Sequence, residues 1–289
     1  NTVFSTQKKS SYSGTQSIAP LGPVTLKGQY KLAGIELADK NVTLSVGSKI
    51  TPSVQVPGSW SGSTKDVPED AELTMAWYAK DEGDADWTEL TDGIDTTDGS
   101  LTISDALVGK RIKVTASALD NTVEWVSPDS VTAAGKYNLL RVTTTPQINS
   151  ESTHLISGDS VKATAQAKRA DGSATNGIDV TTQATVAWYA ADDAKAPAAD
   201  WTLLSDMSGA TATVSASAAG KYLKAVATSG SSTVELVSTN KVIAAGSLEA
   251  AVQKLNNANK QIAVDYSAKG GNVNDVLKAQ LAGLGFTDI

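Results

Sequence analysis

The stretch Ala76-Trp77-Tyr78-Ala79 occurs twice, because Ala187-Trp188-Tyr189-Ala190 follows it at an offset of 111 residues. The same offset holds far from this stretch, and it relates Leu44 and Gly47 to Leu155 and Gly158, Val108-Gly109-Lys110 to Ala219-Gly220-Lys221, and Thr122-Val123-Glu124 to Thr233-Val234-Glu235. The register slips once, near Trp87 and Trp201, which are 114 residues apart. Loops tolerate such changes in length, so the sequence predicts two copies of one folding unit.

The repeat divides the chain into four predicted parts. Residues 30–135 and 136–246 are the two copies, called here the first unit and the second unit. Residues 1–29 are polar and end near Pro20 and Pro23, and Val24-Thr25-Leu26 resembles Val131-Thr132-Ala133 at the end of the first unit. This N-terminal segment is therefore either an extended linker or a strand of a preceding unit. It has no signal-peptide pattern, so we expect a mature or trimmed chain.

Residues 247–289 carry a helical pattern. Leu248, Ala251, Val252 and Leu255 lie at the i, i+3, i+4, i+7 positions of an amphipathic helix, with Ser247 as its N-cap. A short strand at Ile262 and Val264 and a second helix follow, the latter built on Val273, Val276, Leu277 and Leu281. This part is predicted to be a small helical segment or the start of a third domain.

Alternation of apolar and polar residues predicts short, half-buried strands within each unit. The first unit alternates at Val42, Leu44 and Val46, at Leu73, Met75 and Trp77, and at Ile112 and Val114. Seven or so such strands, separated by turns, are typical of an antiparallel sandwich. Four tryptophans recur at strand positions and are predicted to be core residues: Trp77, Trp87, Trp188 and Trp201.

Composition narrows the class of protein. The net charge is −7 and there is no basic run, which argues against nucleic-acid binding. No run approaches the ~18 apolar residues of a membrane span, so no membrane insertion is expected. The chain has 0 cysteines. A secreted sandwich without disulfides favours a bacterial origin.

Two segments carry a family resemblance. Ala76-Trp77-Tyr78 and the run from Asp105 through Gly109-Lys110-Arg111-Ile112-Lys113-Val114 resemble bacterial immunoglobulin-like (Big-type) modules, which occur in tandem in surface proteins. The second unit keeps Gly220-Lys221 but has Ser217 or Ala218 where the module carries Asp. The resemblance covers residues 30–246. It implies a mainly β chain with two tandem Ig-like antiparallel sandwiches, on a bacterial cell surface or outside the cell, and it implies no shared catalytic residue.

Trp60 is the candidate ligand-contact residue. It lies in the turn-rich run Pro57-Gly58-Ser59-Trp60-Ser61-Gly62-Ser63 and aligns with Asp171, so the fold itself does not require a tryptophan there. An exposed Trp on a loop can stack on a sugar or anchor a protein interface. The alternative, which we expect, is a ring folded back over its own sandwich.

Clustered acidic residues are the candidate metal site. Asp81, Glu82, Asp84 and Asp86 share one loop, and carboxylates are the ligands that Ca²⁺ prefers. Asp192, Asp193 and Asp200 occupy the corresponding loop of the second unit. The spacing does not match a 12-residue calcium loop. We therefore expect a solvated acidic loop, with a calcium site as the alternative and no other cofactor.

His154 is the single histidine, and we expect it at the surface near a strand start rather than in a catalytic dyad or a metal site. No motif supplies catalytic residues, so the sequence favours a non-enzymatic surface or secreted protein that uses Ig-like modules as stalk or binding units. Its expected partners are other surface proteins, host matrix or glycans, or copies of itself. The alternative is a self-assembling fibre or surface-layer subunit that uses strand addition or docking of a terminal segment.

Overall fold

The structure is a computed structural model that describes residues 30–68, 71–118 and 121–257. The N-terminal segment of residues 1–29 lies outside the described residues, as do the predicted short strand and second helix beyond residue 257.

The first unit forms a sandwich of antiparallel strands around one core. Its strands are β1 (Gly34–Leu37), β2 (Lys49–Ile50), β3 (Pro52–Pro57), β4 (Thr64–Asp66), β5 (Thr74–Asp81), β6 (Thr88–Glu89), β7 (Leu101–Thr102), β8 (Lys110–Ala118) and β9 (Asn121–Val126). One sheet has the order β6-β5-β8-β9. The other consists of β1-β3-β4, and the β2–β7 pair adjoins it.

The second unit repeats this arrangement. Its strands are β10 (Leu139–Thr145), β11 (Ser160–Ala167), β12 (Ile178–Asp179), β13 (Thr185–Ala191), β14 (Thr202–Ser208), β15 (Thr211–Thr213), β16 (Tyr222–Ser229) and β17 (Ser232–Val237). The sheets are β14-β13-β16-β17 and β10-β11-β12, with β15 paired to β11. The continuous β11 matches the interrupted β2 and β3. The interruption falls at Thr51, directly before Pro52, and Pro52 lacks the N–H that the aligned Ala163 donates to Ala210 O at 2.7 Å.

Each core is centred on one tryptophan of the repeated stretch. Trp77 is 1% exposed and Trp188 is 0% exposed. Each indole also satisfies its buried N–H: Trp77 Nε1 donates to Gly99 O at 2.8 Å, and Trp188 Nε1 donates to Gly209 O at 3.0 Å. A buried indole with its donor satisfied contributes apolar area without a desolvation penalty. The predicted core role of these two residues is confirmed.

A short segment closes each unit by parallel pairing. Thr132 forms a parallel bridge with Ser45, and Ile243 forms one with Ile156. The predicted regular strand through Val42, Leu44 and Val46 is therefore wrong, because this stretch makes only that single bridge before a turn at Gly47. Gly47 has φ +90°, a conformation that side chains with a Cβ rarely adopt, so the turn ends the pairing there.

A helix, α1, is described over residues 248–257. The Ser247 hydroxyl accepts from the Ala250 N–H at 3.1 Å, so the predicted N-cap is confirmed. Ala250 packs against Ile156 and Ile243 at the end of the second unit. The chain is thus mainly β, with two Ig-like antiparallel sandwiches and a small helical C-terminal segment.

Candidate binding surface and inter-unit junction

Trp60 projects from a hydrogen-bonded hairpin tip. The tip joins β3 to β4, and it is closed by the Gly58 N–H donating to Ser63 O at 2.7 Å and by the Ser63 N–H donating to Trp60 O at 3.1 Å. The Trp60 side chain does not fold back over the sandwich, because the residue is 81% exposed. The expectation of a folded-back ring is wrong. The ring is exposed because the tight tip directs residue 60 away from the sheet.

A polar cluster holds this hairpin in place. Asp66 on β4 accepts from the Ser53 hydroxyl and from Gln55 Nε2, both at 2.6 Å, and both partners lie on β3. The Ser53 hydroxyl, followed by the Gln55 amide, keeps the pKa of the Asp66 carboxyl below its ordinary value. The cluster joins the two strands that carry the tip, so Trp60 is presented on an ordered support.

The acidic residues of the first unit do not gather into a metal site. Asp81 pairs with Lys110 at 2.6 Å, while Asp84 accepts from Lys80 only through its backbone carbonyl. The described part of the chain contains no group of three or more acidic or histidine side chains arranged to hold a metal ion. The corresponding residues Asp192, Asp193 and Asp200 are among those described and form no such group. This geometry favours solvated acidic loops.

His154 is half-buried rather than at the surface as expected. Its Nδ1 is buried without a hydrogen-bond partner among the described residues. It lies in an irregular segment just before the Ile156 bridge, not in a strand. Within the described ranges it forms no dyad with an acidic residue, and we assign it no chemistry.

The other two tryptophans predicted to be core residues differ in burial: Trp201 is 8% exposed, so its predicted burial is confirmed, whereas Trp87 is only half-buried. Trp87 packs over Lys113, with the ammonium 4.8 Å from the ring centroid, and Trp201 packs over Lys224 at 4.4 Å. Neither ring belongs to a core cluster. The strand residues Tyr78 and Tyr189 join the same two lysines at 5.1 and 5.8 Å. Each unit therefore has a cation–π cage on the outer face of its four-stranded sheet.

An acidic residue completes each cage. Lys113 pairs with Glu124 at 3.6 Å, and Lys224 pairs with Glu235 at 3.2 Å. The lysine side chains are only 16% and 9% exposed. The rings compensate for the lost hydration of the ammonium group, which makes such burial tolerable. Because their aromatic faces are covered by lysine, these cages are structural and offer no free ligand platform.

The two units are joined by a loop of the second unit that enters the first. The loop follows β11, and its Ala170 is 0% exposed within the core of the first unit. The Ala170 N–H donates to Val42 O at 2.8 Å, and Arg169 Nη1 donates to Lys40 O at 2.9 Å. We call residues 168–172 the docking loop. Its backbone and side chains satisfy carbonyl groups at the end of the neighbouring sandwich.

Further contacts surround the docking loop. Lys168 pairs with Asp129 of the first unit at 2.8 Å, with side chains 38% and 25% exposed. Asn138 Nδ2, at the entrance to the second unit, donates to Ser130 O at 2.9 Å. Partly exposed ion pairs contribute ~0–1 kcal/mol, so the apolar contact and the backbone hydrogen bonds dominate the junction.

The Trp60 hairpin holds the same place in the first unit as the docking loop holds in the second. Pairing of β3 with β4 corresponds to pairing of β11 with β12, and Trp60 aligns with Asp171 at the 111-residue offset. In each unit this loop lies beside the point where the chain enters, since Gly34 faces Gln55 and Leu139 faces Ala167. The alignment contained this equivalence, but nothing in it identified the second loop as a contact between units.

The comparisons with known proteins give no close relative. No family model matches the sequence, and no curated protein matches it. A solved structure of Dscam1 isoform 4.44, with its N-terminal four Ig domains, is 16% identical, with a TM-score of 0.25, over 74% of this chain and 46% of that chain. The full ectodomain (Ig1–Ig3) of mouse nectin-like molecule 4 is 12% identical, with a TM-score of 0.21, over 76% and 66%.

This chain therefore spans just under half the length of the Dscam1 chain that it matches. Both likenesses are to Ig-domain proteins, and at these scores the Ig-like assignment rests on the sheet topology of the chain itself. Among the described residues, no helix has the length and apolar character needed to cross a membrane.

Proposed function

We propose that this chain is a non-enzymatic structural and adhesive piece of a bacterial cell-surface or secreted protein, in which two Ig-like units act together as a stiff spacer. The observation that carries the proposal is the docking loop. An extended spacer needs its units held at a constant angle, and a core contact combined with hydrogen bonds between units supplies that constraint. A flexible linker between independent units would not.

The setting is inferred from sequence features. The motifs around Trp77 and Gly109-Lys110 resemble those of bacterial Ig-like surface modules, and the chain is acidic and has 0 cysteines. A spacer function also fits the surface, because the aromatic cages are filled by lysine and the acidic side chains are solvated. Trp60 is the proposed contact residue for a partner outside the chain.

Host glycans and matrix proteins are the proposed partners of Trp60. Sugars and protein surfaces both stack on exposed indole rings, and an ordered support lowers the entropy lost on binding. Immobilised glycan and matrix-protein panels test this contact with the full chain and its Trp60→Ala variant. Binding that Trp60→Ala removes is the expected result, whereas equal binding by both proteins contradicts this assignment.

The spacer itself is tested by small-angle X-ray scattering of the full chain over a concentration series. We expect an elongated particle of monomer mass at every concentration. The Ala170→Glu variant should show a broader distribution of shapes, because a carboxylate cannot occupy the core of the first unit. A wild-type profile that requires freely rotating units contradicts the spacer.

A second candidate function is assembly of copies into a fibre or surface layer. The observation that favours it is the position of Trp60, which is equivalent to that of a loop already used to dock one sandwich on another. In that case the scattering mass rises with concentration, and the rise disappears in Trp60→Ala. A constant mass eliminates this candidate under the conditions of the experiment.

A further inference from the structure

The ends of the two sandwiches that point along the chain differ in how their carbonyl groups are satisfied. In the first unit, Lys40 O and Val42 O accept hydrogen bonds from the docking loop of the second unit. In the second unit, Glu151 O and Thr153 O lie 111 residues further on. Both of these accept from Asn240 Nδ2 of the same unit, each at 2.9 Å.

The residue responsible for the difference holds one structural position in both units. Asn240 aligns with Asp129 at the 111-residue offset. Two residues earlier, the Ser127 hydroxyl accepts from the Ile112 N–H at 3.0 Å, and the Ser238 hydroxyl accepts from the Leu223 N–H at 2.9 Å. These matched hydrogen bonds show that the two segments follow the same path, so the side chains at 129 and 240 start from equivalent places.

The two side chains have opposite hydrogen-bonding capacity. An asparagine amide carries two N–H donors, whereas an ionised aspartate only accepts. Asp129 therefore leaves Lys40 O and Val42 O to an outside donor, and its charge attracts Lys168 of the docking loop at 2.8 Å. Asn240 occupies the equivalent carbonyl groups from within its own unit.

The position before this one, Pro128 in the first unit and Thr239 in the second, also leaves the end of the first unit available and fills that of the second. The Thr239 N–H donates to Ile148 O at 3.0 Å within the second unit. Pro128 has no N–H to donate, and its ring lies against the docking loop. A Cβ added at Gly172 would come within 3.0 Å of Pro128 Cγ, so the Pro128 ring lies close to the Gly172 backbone. Proline and aspartate together leave the first end open to a neighbour.

We infer that the side chain at position 129 or 240 decides whether the end of a sandwich accepts another sandwich. With aspartate, Lys40 O and Val42 O stay available to a neighbour, and we call this an open end. It fits a loop with the pattern Lys168-Arg169-Ala170-x-Gly172. Such a loop supplies a cation, a guanidinium donor, a small apolar residue and a glycine that can lie close to Pro128. With asparagine, the side-chain amide of the same unit occupies the equivalent carbonyl groups, and we call this a closed end. The second unit therefore does not receive a further unit in this way. The inference rests on the proposed spacer function, since it assigns specificity to the same junction.

The test measures the distance between the units in the full chain. The protein has 0 cysteines, so Thr88→Cys and Ser205→Cys provide unique spin-label sites on exposed strand positions of the two units. Pulsed electron paramagnetic resonance then gives the distribution of label separations. We expect one narrow distribution for the otherwise unchanged chain. Asp129→Asn should broaden it, because the new amide competes with the docking loop for Lys40 O and Val42 O.

Two matched variants distinguish the effect of the new amide donor from the effect of losing the negative charge. Asp129→Ala removes the ion pair without adding a donor, and it should keep a distribution close to that of the unchanged chain. Asn240→Asp should also leave the distribution narrow, while lowering the melting temperature of the second unit through two carbonyl groups left without a donor.

Three results overturn the inference. A narrow distribution for Asp129→Asn removes the role of the amide. Equal broadening by Asp129→Ala assigns the effect to charge alone, and broadening by Asn240→Asp removes the distinction between the two ends. A broad distribution in the unchanged chain contradicts the spacer function itself, so the two failures are distinguishable.

Discussion

The hairpin tip that carries Trp60 and the docking loop that carries Ala170 hold the same place in two sandwiches of one design, yet their surroundings are opposite. Trp60 is 81% exposed, while Ala170 is 0% exposed against the neighbouring unit. The strands that support the two loops pair in the same order. The comparison shows that burial of a loop in an array is set by the adjoining end and by the size of the residue, not by the sandwich that carries it.

The largest expected effect comes from a carboxylate introduced into the docked loop. Ala170→Glu should undock the loop and lower the free energy of unfolding of the first unit by ~1–3 kcal/mol, because its core loses a buried contact and becomes overfilled if the loop stays. Ser59→Glu is the matched control, since Ser59 occupies the aligned and exposed position. Denaturant titration should show less than ~0.5 kcal/mol for the control. Equal effects in both variants contradict the comparison.

The two cation–π cages should differ with their burial. Lys224→Met should lower the free energy of unfolding by ~1–2 kcal/mol, and Lys113→Met by ~0.5–1 kcal/mol, because the more desolvated ammonium gains more from its rings. The relevant exposures are 9% for Lys224 and 16% for Lys113. Calorimetry of both variants checks the order. A stabilising Lys224→Met substitution would mean that desolvation of the ammonium outweighs the ring contacts.

Acid should lower the stability of the first unit through Asp98, a residue without an equivalent in the second unit. The Ser100 hydroxyl, then Lys49, lowers the pKa of Asp98 to about 2 from its ordinary 3.8. A lowered pKa contributes stability above pH 3.8 that is lost as the pH falls from 3.8 towards about 2. Melting temperature measured across this window should fall less steeply in Asp98→Asn. Parallel curves for the variant and the unchanged chain contradict the assigned shift.

The smallest effect is expected at the exposed loop. Trp60→Ala should change the free energy of unfolding by less than ~0.5 kcal/mol, because the ring contributes little buried area. The hydrogen bonds of the tip use the backbone of residue 60 but not its side chain, so they persist in the variant. Thermal melting checks this. A marked loss of stability would place the ring against the sandwich after all.

Much of the fold followed from the repeat and from alternation. Trp77 and Trp188 lie within long strands, where period-two alternation specifies the face, and both were assigned correctly. Trp87 and Trp201 immediately precede β6 and β14, outside the alternating stretches, so the pattern did not specify which way each ring points. The N-cap at Ser247 was predictable because it is a local interaction within one turn.

The junction was not predictable in the same way. Ala170 has an ordinary local sequence, and its burial depends on Lys40, Val42 and Asp129, which are distant in the chain. The exposure of Trp60 likewise depends on its surroundings, since among the described residues no neighbouring unit covers its hairpin tip. The alignment did contain one usable signal, since Asp129 and Asn240 differ within an otherwise matched closing segment.

We expect the docking loop to hold the two units as one rigid body. The most direct measurement is a set of residual dipolar couplings for backbone amides of both units in the full chain. A single alignment tensor should fit the couplings of residues 34–126 and 139–237 together. Two tensors of clearly different magnitude would show that the units reorient independently, and they would contradict the account.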